Sequence, residues 1–521
     1  MADRTLTRRQ FTGCIAGVAA AAVPNRLTTL LEARQAPAIA RGAGRPVLPS
    51  GVMAGDVIGD SAVIWSRADR ASTMVVEYAT TSSFRNARRV VGPVVLEDAD
   101  FTGKVVLRDL PAGQDIFYRV TFASLSSPRD VSEPVDGHLR LPAAGRGPVS
   151  FVWSGDTVGQ GWGIDTSRGG MRTYEAMRAL EPDFFVHVGD TIYADGPLVA
   201  EVTLEDGSIW RNELTPEKAK VAETLAEFRG NHLYNLRDDH FRRFHAEVPT
   251  YFQWDDHETV NNWYPGEWLD DPRYAVRDVS LLAARARRAF FQCLPIRPHP
   301  TEEIFRVIPY GPQLELFILD MRTYRAPNSA NRQTMAGVET ALLGRAQLDG
   351  LKAALASSRA TWKVICSDMP IGLVVGDGAA FEAVANRDPA GPSGRELEIA
   401  ELLRHLRDSR TRNVVWITAD VHHCASIHYD PARAAFKDFD PFWEFVSGPL
   451  HAGTFGPSAL DGTFGPERRF VGIPADMSPN RPPSENLQFF GRVLIDEAQA
   501  LTVEHWNSAG RRLSTTTLPA A

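Results

Sequence analysis

Six apolar runs of strand length (149–153, 184–188, 250–254, 314–319, 362–366 and 414–418) alternate with helical patterns at 170–180, 216–229, 278–292, 345–357 and 395–408. A run with no consistently polar side must be covered on both faces. Buried strands separated by helices dictate an α/β or mixed α+β core. The stretch before them has a different texture. Short alternating runs at 62–65, 74–78, 104–107 and 117–122 are divided by turn clusters such as 68–73 and 109–113. That spacing predicts a small β-sandwich. It holds no conspicuous titratable cluster and reads as a scaffold or interaction module. Residues 142–148, Pro-Ala-Ala-Gly-Arg-Gly-Pro, form a linker by composition. The expected division is therefore 1–40, 46–141 and 148–515.

The first segment reads as an address. Basic residues from Arg4 to Arg9 precede a mild apolar run at 15–23, which is too short and too rich in alanine to anchor in a bilayer. Arg8-Arg9-Gln10-Phe11 resembles a twin-arginine signal. The twin-arginine export machinery is then an expected partner, with cleavage between about residues 20 and 40. The expected location is secreted, periplasmic or cell-envelope, without a transmembrane anchor. Cys14 precedes the apolar run, which argues against a lipoprotein anchor.

With 56 basic against 64 acidic residues the net charge is −8, which argues against a dedicated nucleic-acid binder. The four cysteines, Cys14, Cys293, Cys366 and Cys424, show no CxxC spacing. They make neither a disulfide framework nor a zinc site.

The polar residues just beyond the apolar runs are more informative. Residues 149–155 lead into Asp156, and 184–189 into Asp190-Thr191-Ile192-Tyr193-Ala194-Asp195. Residues 251–254 lead into Asp255-Asp256-His257-Glu258, and 414–419 into Asp420-Val421-His422-His423. In such sheets ligands bind beyond the carboxyl ends of the strands. Four strands thus deliver carboxylates and imidazoles toward one edge. Carboxylates crowded in a low-dielectric crevice repel one another and need cations. Two-metal sites are the usual phosphoester machinery. Taken singly, Gly-Asp is a turn, Asp-Asp-His-Glu a charge run or helix start, and His422-His423 a core pair. The set of four at strand ends points to a metal site.

These blocks resemble the calcineurin-like metallophosphoesterases, and more narrowly the alkaline phosphatase D (PhoD-like) family. The stretch 154–163, Ser-Gly-Asp-Thr-Val-Gly-Gln-Gly-Trp-Gly, is also similar to secreted phospholipase D enzymes that lack the HKD motif. The resemblance implies a metallophosphoesterase core of two packed sheets flanked by helices over 148–515, behind the β-sandwich. It implies Fe³⁺ held by Asp156, Asp190, Tyr193 and His422. Asp190 would bridge to a second divalent ion, also held by Asp256 and Asp420. An all-oxygen second site favours Ca²⁺ first, with Mg²⁺ or Mn²⁺ as alternatives. Many PhoD-like members have Cys where Asp156 stands, so the iron ligand set here is harder. The superfamily's isolated His block is not evident, and Asp368 is a candidate for its place.

His257 either protonates the leaving oxygen or contacts the phosphate, or it merely orients a carboxylate. Asn261 and Asn262 are candidates for the phosphate oxygens or the second ion, with His257 and Asn262 the preferred catalytic pair. Arg168 and Arg172 are candidate phosphate contacts or solvated helix-start residues. His187 reads as core, Asp195 as a turn residue, and His423 and His451 as cleft-lining candidates. Gly159 to Gly163 with Trp162 is either a substrate-facing loop, favouring diesters, or a structural turn with a packed tryptophan.

The expected function is metal-dependent hydrolysis of phosphate diesters or monoesters, with a phospholipid, nucleotide or small phosphate ester as substrate. The rival is a surface-binding β-sandwich joined to an inactive metallophosphoesterase domain, although every iron ligand has a candidate here. A metallo-oxidoreductase ranks last, because no facial triad is evident.

Overall fold

The computed structural model describes residues 44–521. The segment read as an export signal, with Arg8, Arg9 and Cys14, lies outside them. Two large sheets face each other. One has nine strands, in the order Arg512–Leu518, Leu501–Asn507, Phe489–Ile495, Val149–Ser154, Phe184–Val188, Thr250–Gln253, Val52–Ile58, Ser61–Arg67, Thr102–Leu107. The other has seven, in the order Arg306–Tyr310, Leu314–Ile318, Trp362–Cys366, Val414–Thr418, Phe442–Val446, Ala425–Tyr429, Pro466–Val471. The central strands of both sheets pair in parallel. Antiparallel strands close their edges.

Alternation along each strand decides what it packs against. Phe151, Trp153, Phe184, Val186 and Val188 from one sheet meet Leu316, Ile318, Val364, Cys366, Val415 and Ile417 from the other in one core. The opposite parity faces helices. Val152 and Phe185 pack on Arg172–Arg178 and Asp239–Glu247. Phe317, Ile365 and Trp416 pack on Arg345–Ser357 and Glu396–Asp408. The strands are therefore apolar throughout because each is covered twice.

Residues 46–141 supply seven strands. Four form a separate sheet, Arg88–Val95, Ser72–Ala79, Asp115–Ser124 and Val135–Arg140. In Asp115–Ser124 the buried side chains alternate strictly, and Ile116, Tyr118, Val120 and Phe122 point into the core. The other three strands, Val52–Ile58, Ser61–Arg67 and Thr102–Leu107, extend the nine-stranded sheet. Gly55 pairs in parallel with Thr250 at the seam.

Helix ends follow their caps more closely than the apolar pattern. A helix over 216–229 is expected from the sequence, yet it runs Leu225–Asn235. Thr224 and Glu227 form a capping box there, which fixes the start and contributes about 1 kcal/mol. Before it, Lys218 turns inward and donates to the Tyr193 carbonyl at 3.0 Å, which holds the segment in turns. A further helix, Asp239–Glu247, is capped by the Asp238 side chain. Among the described residues no helix is long and apolar enough to cross a membrane.

Candidate metal centre

The strands Val149–Ser154, Phe184–Val188, Thr250–Gln253 and Val414–Thr418 end at the same edge of the paired sheets, and each chain turns sharply there. Asp156, Asp190, Asp420 and His422 have φ of 65°, 53°, 63° and 55°, and Asn262 has 60°. Left-handed backbone outside glycine costs on the order of 1–3 kcal/mol per residue. Asp and Asn tolerate it best. Five such residues at one edge mean that tertiary contacts impose the geometry. Gly189 shows why a glycine precedes Asp190: at φ 100°, a Cβ there would lie 2.6 Å from Asp255 Cβ.

Glu258 clamps two of these loops together. One of its oxygens accepts from Thr191 N at 2.5 Å and Thr191 Oγ1 at 2.6 Å. The other accepts from Asp255 N at 2.7 Å. Burial lifts its carboxyl to about 7. The Asp156 loop is tied in by Thr157 N donating to Asp190 O at 2.8 Å and His451 N donating to Asp156 O at 3.1 Å.

Three sets of donors result. Within each, the ligand atoms lie within 4.8 Å of one another: Asp156, Asp190 and His422; Asp190, Asp256 and His257; Asp255, Asp256 and Asp420. Asp190 belongs to the first two. His422 Nδ1 faces the Gly453 carbonyl and carries the proton, so the Nε2 lone pair points inward. That Nε2 is 2.9 Å from Tyr193 Oη and 3.6 Å from Asp156 Oδ1. Gly159 lies against the Tyr193 ring, where a Cβ would come within 2.5 Å of it.

The electrostatics fit a cation. Asp156 Oδ2 and Asp420 Oδ2 are buried without a hydrogen-bond partner. Burial, reinforced by neighbouring carboxylates, pushes Asp156, Asp190 and Asp420 well above the ordinary carboxylate value. The same two causes push the Tyr193 phenol up. Burial lowers His422 to about 4, which keeps it neutral. At 4 Å and an effective dielectric of 20, two carboxylates repel by about 4 kcal/mol. Bound cations would reverse that sign and would satisfy the orphaned oxygens.

His257 is stacked on Tyr193, with ring centroids 4.2 Å apart. Its Nδ1 is 2.7 Å from Asp195 Oδ1, and Asp195 Oδ2 accepts from Asn261 N at 2.9 Å. Burial opposes the charged imidazolium, but Asp195 and Asp256 outweigh it and raise His257 to about 10. Asn262 N donates to Asp256 Oδ2 at 2.6 Å. Against burial, His257 and Arg322 hold Asp256 below the usual carboxylate range.

All eight preferred site residues therefore gather at one edge. Asp195, read as a turn residue, is the partner of His257. It does lie in a turn, and its role comes from His257 far along the chain. Asp368 belongs to none of the three donor sets and faces Arg322 at 3.8 Å. His187 is core: its Nε2 meets Thr157 Oγ1 at 2.9 Å. His423 is buried, with Nδ1 on the Val421 carbonyl. Arg168 and Arg172 line a pocket of about 230 Å³ with Trp210 and His451. Trp162 is 5% exposed, donates to Asn480 Oδ1 at 2.8 Å and sits edge-on to Trp210, which is the packed-tryptophan alternative. Arg322, fully buried among acidic residues, carries no sequence signal beyond its place after a strand.

Known proteins resemble this chain in sequence and in fold. The family profile of PhoD-like phosphatases matches residues 151–506, and that of their N-terminal domain matches 33–141. Alkaline phosphatase D of Bacillus subtilis (strain 168) is 25% identical over 497 residues, covering 90% of this chain and 78% of that protein. The solved structure of PhoD matches with a TM-score of 0.67 at 20% identity, over 92% of this chain and 94% of that one. Purple acid phosphatase PPD1 from yellow lupin (Lupinus luteus) seeds matches with 0.55 at 11% identity, over 91% and 74%. These two likenesses bear out the calcineurin-like core expected from the strand-end blocks. The chain belongs to the PhoD-like phosphatase family and is a phosphoester hydrolase.

Proposed function

We propose that this chain is an exported two-metal phosphoesterase acting on phosphate diesters, monoesters or both. Fe³⁺ would be held by Asp156, Asp190, Tyr193 and His422. A second ion, Ca²⁺ by preference and otherwise Mg²⁺ or Mn²⁺, would be held by Asp190, Asp256 and Asp420. The observation that carries the reading is that Asp190 is common to two donor sets, one containing the neutral His422, whose Nε2 is 2.9 Å from Tyr193 Oη, and the other containing Asp256. A phenolate, two carboxylates and an imidazole suit a trivalent iron, while carboxylates alone suit a hard divalent ion.

When bound, such a pair supplies Lewis acidity toward phosphoryl oxygens and an ionised water at neutral pH. The chain's own residues do the rest. His257, whose Nδ1 lies 2.7 Å from Asp195 Oδ1, donates its proton to the leaving oxygen. Asn262 offers its amide to a phosphate oxygen. The buried walls exclude bulk water, which strengthens each of these interactions. Attack by water in line with the leaving group inverts configuration at phosphorus.

The test is turnover of bis(p-nitrophenyl) phosphate and p-nitrophenyl phosphate by protein of known metal content, then of a chiral phosphate ester. Metal-dependent turnover with inversion supports the proposal, and retention at phosphorus removes direct attack by water. Export rests on Arg8 and Arg9. Substituting both with Lys should trap the protein in the cytoplasm, and unchanged export would remove the twin-arginine reading.

A further inference from the structure

Behind the second donor set lies an arginine with no solvent exposure. Arg322 comes after the strand Leu314–Ile318. It is preset by Asp320, whose Oδ1 accepts from Arg322 N at 3.1 Å and from Trp254 Nε1 at 3.0 Å. Its Nε donates to Asp255 Oδ1 at 2.6 Å. Glu382 Oε1 is 2.5 Å from Nη1, while Asp256 Oδ1 and Asp368 Oδ2 are each 3.8 Å from the guanidinium. Glu382 is held from the other side by Arg325 at 3.2 Å. Four carboxylates thus surround one guanidinium in the protein interior.

Asp255 and Asp256 also form a donor set with Asp420. Asp255 thus shares one donor set with Asp256, while only Asp256 is also grouped with Asp190. Their other contacts separate them. Asp255 is committed to the Arg322 guanidinium, whereas Asp256 accepts only from backbone, Oδ2 from Asn262 N and Oδ1 from His257 N at 2.9 Å, with Oδ1 beyond hydrogen-bond distance of Arg322. A planar, permanently charged fork suits the role of a fixed internal cation.

We propose that Arg322 is a positioning residue that stands in for a metal ion among Asp255, Asp256 and Asp368, withdrawing Asp255 from the metal shell and leaving Asp256 and Asp420 to the second ion. This rests on the two-ion reading above. Loss of one partner of a buried ion pair leaves uncompensated charge. Without Arg322, that charge is relieved by recruiting another cation.

The test compares metal content and melting temperature of the full-length wild type, R322Q, D255N and D256N, each dialysed against Ca²⁺ and against chelator. R322Q should bind about one further Ca²⁺ equivalent, and its melting temperature should rise more steeply with Ca²⁺ than that of the wild type. D255N should keep the wild-type iron and divalent-ion content, whereas D256N should lose the divalent ion. A folded R322Q with wild-type Ca²⁺ content and wild-type Ca²⁺ response overturns the proposal. So does a D255N protein as depleted of the divalent ion as D256N, a comparison that stands even where R322Q fails to fold. Wild-type protein without bound metal would instead defeat the two-ion reading.

Discussion

His257 Nδ1 and Asp195 Oδ1 lie 2.7 Å apart, both buried, although the two residues are 62 positions apart in sequence. His257 is grouped with Asp190 and Asp256 in one donor set. Removing the Asp195 charge removes one of the main influences that raise His257 to about 10. D195N should therefore lower kcat by about 10- to 100-fold, part of the effect of a general acid. The alkaline limb of the pH–rate profile should move to lower pH. The stability contribution has the same sign. In chelator-treated, metal-free protein the raised His257 pKa stabilises the fold in full below the ordinary histidine value and loses that stabilisation as pH rises through about 10. In D195N the loss should begin at lower pH, as read by thermal melts across an alkaline series.

Asp190 is shared by two donor sets, whereas Asp156 belongs to one. D190N should deplete both ions and lower kcat by about 10³-fold or more, because the loss removes the Lewis acidity and the nucleophile together. D156N should deplete iron selectively. Elemental analysis of the two purified variants separates these outcomes. Equal loss of both ions in both variants would contradict the bridging role.

Glu258 accepts three hydrogen bonds that join the Asp190 loop to the Asp255 loop. In E258Q an amide NH₂ must face at least one of those donors. The cost should be about 1–3 kcal/mol, as for a buried donor left without its acceptor. Denaturant unfolding should report it as a shift in midpoint at unchanged slope.

Gly159 tests the loop that the sequence leaves open between a substrate-facing and a structural role. An added Cβ would fall 2.5 Å from the Tyr193 ring. G159A should displace the phenol and weaken any Tyr193-dependent visible absorption while far-UV circular dichroism is retained. If the loop is substrate-facing only, the spectrum should not change.

Much of this is legible in the chain. The strands from Val149–Ser154 to Val414–Thr418 announce themselves because burial on both faces leaves each one apolar, and the polar residues after them fall at one sheet edge. Periodicity misplaces the start of Leu225–Asn235 because Lys218, a helix-compatible residue, is instead drawn in toward the Tyr193 carbonyl, a tertiary contact that local pattern does not encode. Asp195 and Arg322 stay hidden in the sequence for a related reason. A single Asp in a turn or Arg after a strand acquires meaning only through a partner far along the chain, here His257 and Asp255. The joining of Val52–Ile58 to Thr250–Gln253 at Gly55 is likewise a pairing that local pattern does not reveal.

The metal content and visible spectrum of the purified protein, read alongside Y193F, decide whether Tyr193 holds an iron. Iron together with a divalent ion is expected in every chain, with a visible charge-transfer band that Y193F abolishes while His422 and the carboxylates keep the fold. A protein that holds no iron, or whose colour is the same in Y193F, would contradict an iron at Tyr193.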